Sequence, residues 1–200
     1  MRTAGQGPGG FKEQEGLMRP GQDLIMAGWA GLEGTRIMAG EAQALTEARF
    51  CRSFLRGIWT SEEGPALRWA QEAMGTVITA YTEVGEGGVL AALWNLSGSH
   101  RAGISFDLRR IPVRQVTVEL CELFGLNPYR LLTGGAFVAA ADNGALAVRA
   151  MASQGIAGAV IGQVTEGEAR RMSHGSEEAG FLERPQPDEI ERFYIQRRCI

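Results

Sequence analysis

Apolar residues along this chain switch between strand-like and helix-like spacing, with Gly- or Pro-bearing turns between the runs. The first stretch has no periodicity and is Gly-rich, so residues 1–19 read as a flexible N-terminal segment. The turn Pro20-Gly21-Gln22-Asp23 precedes a short apolar strand, Leu24 to Ala27. A Gly-punctuated loop, Gly28 to Gly34, leads into a helix near Leu32 to Ala39. Leu45, Ala48, Cys51, Phe54, Leu55 and Ile58 recur at helical spacing and predict a helix across Ala42 to Ile58. Pro65 suits a first-turn position, so a further helix runs from there to Met74 and stops at Gly75.

From Thr76 onward strands and helices alternate. Thr76 to Tyr81, Ile104 to Leu108, Gly135 to Ala140 and Ala159 to Val164 read as strands. Gly87 to Gly98, Val113 to Phe124 and Gly144 to Gln154 read as helices. Arg170 to Leu182 suits a hairpin around His174-Gly175-Ser176, and Asp188 suits the cap of a last helix through Tyr194. The expected fold is α/β (α+β layers), a mixed β-sheet flanked by helices, in one domain over residues 20–194 with a tail at 195–200.

Composition narrows the function classes. The net charge is -3 and no stretch is strongly basic, which argues against a nucleic-acid surface. Lys12 is the only lysine, so a P-loop is absent, as is a buried lysine base. Cys51, Cys121 and Cys199 are scattered and make neither a zinc site nor a disulfide framework; a reducing cytoplasm is the expected home. No apolar run reaches the length of a membrane span. Asp23, Asp107, Asp142 and Asp188 are too dispersed to predict a metal site.

Three Gly-bearing segments are the candidate ligand contacts. Glu83, Gly85, Glu86, Gly87 and Gly88 lie between a strand and a helix, where glycines let backbone approach a ligand and a helix N-terminus favours an anion. A tight turn with no ligand fits the same residues. Gly31, Gly34 and Thr35 sit in a second strand–loop–helix unit, with Thr35 as a donor to an anion and Glu33 either meeting a ligand or offsetting Arg36; capping and surface charge are the alternative. Thr133 and Gly134 precede a strand, as a bulge or as a ligand contact. Arg114 and Arg130 can grip a phosphate or pair with Glu119 and Glu122. His100 reads as a helix-end residue favoured by the dipole.

Several segments in order resemble AIR-synthase-related proteins. Glu83-Val84-Gly85-Glu86-Gly87-Gly88-Val89-Leu90-Ala91-Ala92-Leu93-Trp94 is similar to that family's D-V-T-E-G-G-V-x-G-A-L-W segment. Ile111-Pro112-Val113-Arg114-Gln115, Cys121 to Tyr129, Leu131 to Gly135 and Ala159 to Gly167 continue the series. Arg19 to Asp23, Gly31 to Thr35 and Phe181 to Pro185 extend it to both ends. The chain thus resembles the C-terminal domain of the AIR synthase-related, hydrogenase maturation factor HypE-like (PurM-like) superfamily.

That resemblance implies a PurM C-terminal domain-like sheet that supplies one wall of a phosphate or substrate cleft. It also implies a partner N-terminal domain, or a homo-oligomer, and ATP with Mg bound only when the N-terminal ATP-binding domain is present. The alternative is a non-catalytic ligand-binding or protein-interaction remnant of the family. Thr82, Glu83 and Gly85 stand where the family has His, Asp and Thr, which alters phosphate handling. HypE proteins carry a reactive Cys at their extreme C-terminus; Cys199 lies near the end here, but its surroundings differ from that ending.

Overall fold

The computed structural model describes residues 17–59, 65–175 and 177–197. Its centre is a seven-stranded sheet of β1 (Asp23–Ala27), β2 (Ala80–Val84), β3 (Gly103–Asp107), β4 (Ala136–Ala141), β5 (Gly158–Thr165), β6 (Arg170–His174) and β7 (Glu177–Phe181). The order is β2-β4-β1-β5-β3-β6-β7. Every neighbouring pair is antiparallel except β3 with β6, so the sheet is mixed.

Among the described residues, eight α-helices surround it: α1 (Leu32–Glu41), α2 (Gln43–Arg49), α3 (Arg52–Arg56), α4 (Pro65–Ala73), α5 (Gly88–His100), α6 (Gln115–Phe124), α7 (Gly144–Ala152) and α8 (Glu189–Arg197). This is the mixed α/β arrangement expected from the alternation of patterns.

The alternation of side chains along β1 and β4 divides the core in two. Leu24, Met26, Val138 and Ala140 face α5, where Val89, Leu93 and Leu96 close one cluster. Ile25, Ala27, Phe137 and Ala139 face the other side, with Trp69 and Ala70 of α4 and Ala147 and Met151 of α7. Both faces of these strands are therefore apolar, which is why their sequences read as continuous rather than alternating runs. A third cluster joins α1, α6 and α8 through Met38, Leu120, Leu131, Ile190 and Phe193.

Some boundaries differ from expectation by more than a residue or two. The strand expected at Thr76 to Tyr81 is β2, Ala80–Val84, because Gly75, at a φ of 77°, turns the chain through Gly75 N–H to the Ile78 carbonyl at 2.8 Å, and pairing on β4 takes over at Ala80. The single helix expected across Ala42 to Ile58 is broken, since Phe50 and Cys51 are extended; Leu45 stays exposed and Phe50 stacks on Phe54 at 5.5 Å. At the ends, Met18 is already buried ahead of residue 20, and α8 continues past Tyr194 to Arg197. Among the described residues no helix is long and apolar enough to cross a membrane. Ser176, Lys12 and Cys199 lie outside the described residues.

Candidate functional site

Three segments meet at the end of the sheet where β1 and β2 finish and β4 begins. Ala27 faces Phe137, and Val84 faces Ala136, so the loops after β1 and β2 and the segment before β4 emerge side by side. Glycine makes the approach possible. A Cβ on Gly28 would lie 2.7 Å from the Ala136 Cβ, and one on Gly34 would lie 2.5 Å from Leu131. Gly88, at a φ of 65°, begins α5 against the backbone of Tyr129, Arg130 and Leu131.

Hydrogen bonds knit the three segments together. The Gly31 N–H donates to the Thr133 hydroxyl at 2.7 Å, and the Thr133 hydroxyl donates to the Leu131 carbonyl at 3.0 Å. Gly34 N–H donates to the Leu132 carbonyl at 2.9 Å, and Thr133 N–H to the Gly85 carbonyl at 3.2 Å. The Thr35 hydroxyl donates to the Gly31 carbonyl at 2.7 Å and lies 2.9 Å from the Thr117 hydroxyl. Both threonine hydroxyls are buried and engaged inside the protein, in a backbone-shaping role rather than facing solvent as anion donors.

All ten candidate residues therefore belong to this one end, in two layers. Gly31, Gly34, Thr35, Gly87, Gly88 and Thr133 are buried and set the spacing of the segments. Glu83 and Glu86 are exposed, and Gly85 and Gly134 are half-buried, so these four make up the outer layer. Glu33 pairs with Arg36 at 3.7 Å, the offsetting role open to it from sequence.

The arginines are used differently from expectation. Arg130 pairs with Glu183 at 3.0 Å, not with Glu119 or Glu122. Arg114 donates to the Gly57 carbonyl, with its guanidinium 5.0 Å from the centre of the Trp29 ring. Burial is the larger cause that lowers its pKa, and the neighbouring Arg36 charge adds to it.

One residue of this site is visible in sequence only as a helix cap. Asp188 is 2% exposed, and its carboxylate accepts from Gly87 N–H at 2.6 Å, Leu132 N–H at 3.0 Å and Ile190 N–H at 2.9 Å. The capping pattern identifies the contact to Ile190; the contacts to Gly87 and Leu132 join positions far apart in the chain and have no local signal. Asp188 thus places a negative charge at the α5 N-terminus, where the dipole favours one.

Chemically, the outer surface offers backbone groups, two solvent-facing carboxylates and glycines that admit close approach. That set suits binding and orienting a ligand. Among the described residues no three His, Cys, Asp or Glu side chains come together to hold a metal.

The family model for AIR synthase related protein, C-terminal domain, matches residues 19–174. The chain belongs to this family. Its AIR synthase-related, PurM-like fold recurs in solved structures. Escherichia coli HypE, a hydrogenase maturation protein, is 22% identical with a TM-score of 0.66, covering 84% of this chain and 51% of that one. A HypE structure in complex with ATP is 16% identical with a TM-score of 0.61, covering 84% and 52%. Thiamine-monophosphate kinase from Stenotrophomonas maltophilia K279a is 17% identical with a TM-score of 0.62, covering 83% and 54%. These likenesses establish the fold, and the chain spans about half the length of each of these proteins. Comparison with curated proteins finds no match.

Proposed function

We propose that this AIR synthase-related domain is the C-terminal half of an ATP-dependent enzyme of the HypE type. In this reading it supplies one wall of a phosphate or substrate cleft. The observation that carries it is the convergence of the family-matched Gly31–Thr35, Glu83–Gly88 and Leu131–Gly135 segments at one sheet end. Glu83, Gly85, Glu86 and Gly134 face the ligand, and the buried layer behind them holds their spacing. ATP and Mg then depend on an N-terminal domain, supplied by another stretch of the protein or by a separate chain. A HypE structure in complex with ATP, of which this chain covers 52%, supports this division of labour. A soluble, cytoplasmic setting accords with the reading.

The test is Mg-ATP binding and turnover by this chain alone and together with its N-terminal domain. Binding and turnover are expected only for the pair. Turnover by the chain alone at ordinary enzyme rates overturns the reading.

One observation favours a second reading, a non-catalytic ligand- or protein-binding member. Thr82, Glu83 and Gly85 alter the family loop, and Gly87 N–H and both threonine hydroxyls are already bonded internally. A pair that binds a ligand but never turns over ATP supports it.

A further inference from the structure

Helix α8 lies beyond residues 19–174, yet its first turn grips the candidate site. The Asp188 carboxylate bonds three N–H groups from three segments: the loop before α5, the segment before β4 and α8 itself. Carboxylate bonds to backbone N–H are charge-assisted and about twice as strong as neutral ones. Gly87 and Leu132 thus share one anchor, the residue that caps α8 at the end of an irregular connector from the sheet, residues 182–188.

The seat of α8 is the third cluster, which reaches the site only through Leu131. Phe193 is buried, its ring edge-on to Phe124 at 5.0 Å, and Ile190 lies in the same cluster. Arg197 pairs with Glu41 of α1. Along the connector, Leu182 is buried and Glu183 pairs with Arg130. Packing of α8 in the third cluster and these connector contacts together bring Asp188 to Gly87 and Leu132.

We infer that α8 is a strap and Asp188 the positioning residue of the candidate site. While α8 is seated, the Glu83–Gly88 loop and the Leu131–Gly135 segment are held at a fixed separation. When it lifts, the two lose their common anchor and the outer surface loses its shape. The link to function rests on the reading of those segments as a ligand wall.

Native-state hydrogen exchange on the whole chain tests the strap directly. In the wild type, Gly87 and Leu132 amides are expected to open together with those of Ile190 and Phe193, and more readily than Val138 in β4. Asp188→Asn is expected to speed exchange at Gly87 and Leu132 by about tenfold or more. Phe193→Ala, which leaves the carboxylate intact, is expected to do the same by unseating α8. Gly144 N–H, held by Asp23 at 2.7 Å at the opposite sheet end, serves as the unchanged control.

The strap is overturned if Gly87 and Leu132 open only with β4. It is equally overturned if Phe193→Ala frees α8 and leaves both amides protected. Mg-ATP affinity of the chain paired with its N-terminal domain is the second readout, expected to weaken in Asp188→Asn. If the amides respond while that affinity is unchanged, the strap stands and the ligand-wall reading fails.

Discussion

Gly88→Ala is the sharpest test of how the two candidate segments are spaced. Gly88 has a φ of 65°, in the left-handed region, and a Cβ there would lie 2.5 Å from the Tyr129 carbonyl oxygen and 2.9 Å from Leu131 N. These are backbone atoms, so no side chain can swing aside. The left-handed conformation costs a non-glycine residue about 1–2 kcal/mol. Overpacking adds roughly 1–3 kcal/mol. The sum is about 2–5 kcal/mol, and in a chain of this size each kcal/mol lowers the melting temperature by about 2–4 °C. A midpoint about 4–20 °C below wild type is expected by circular dichroism, with a matching loss in urea.

Gly85→Ala is the control within the same loop. Gly85 is not among the positive-φ glycines, and a Cβ there meets nothing within 4 Å. Alanine at such a position is neutral or stabilises by up to about 1 kcal/mol through the unfolded chain. If Gly88→Ala and Gly85→Ala melt together, the close approach of α5 to the Tyr129–Leu131 backbone is not what fixes this loop, and the reasoning fails.

Two further outcomes concern titrating groups. Burial, and secondarily the Glu189 charge, push the Cys121 thiol up to about 12, whereas the Ser53 hydroxyl at 3.2 Å leads the groups that lower the exposed Cys51. A thiol reagent followed by peptide mass mapping should therefore label Cys51 in the native protein and Cys121 only on unfolding; rapid native labelling of Cys121 would contradict the packing of α6. For His100, desolvation lowers the pKa below its ordinary 6.5, and Nε2 is buried without a hydrogen-bond partner. The unfolded chain takes the proton first, so the His100 contribution is intact above that value and is lost as the pH falls below it. Urea unfolding from about pH 8 to about pH 5 should show wild type losing stability relative to His100→Gln, and parallel curves would rule this out.

Pattern reading succeeded where periodicity and punctuation agree. The α5 run has a glycine entry, unbroken apolar residues and His100 in its last turn, and its ends fall within two residues of expectation. It failed where propensity is uniform. Thr76 to Val84 is almost entirely β-branched, aromatic or small, so strand preference cannot say where pairing starts; the partner strand β4 decides that at Ala80. The break at Phe50 and Cys51 was hidden because apolar spacing continues through it while the third cluster draws Phe50 and Phe54 inward. At the site, the glycine loops were legible because glycine marks close approach. The shared anchor at Asp188 was not, since it bonds Gly87 and Leu132 from far along the chain.

The position of β1 has a consequence for how the molecule comes together. This strand sits third in the sheet order, between β4 and β5, and Asp23 faces Ala141 on one side and Gln163 on the other. A segment with four consecutive buried apolar residues must wait for two partners made far later in the chain. Pairings this distant slow folding and lengthen exposure of sticky segments. During synthesis, the β5 edge of β1 therefore stays unpaired until β5 has left the ribosome. Fragments that end before Gly158 leave β1 with an open edge beside β4 and are expected to aggregate.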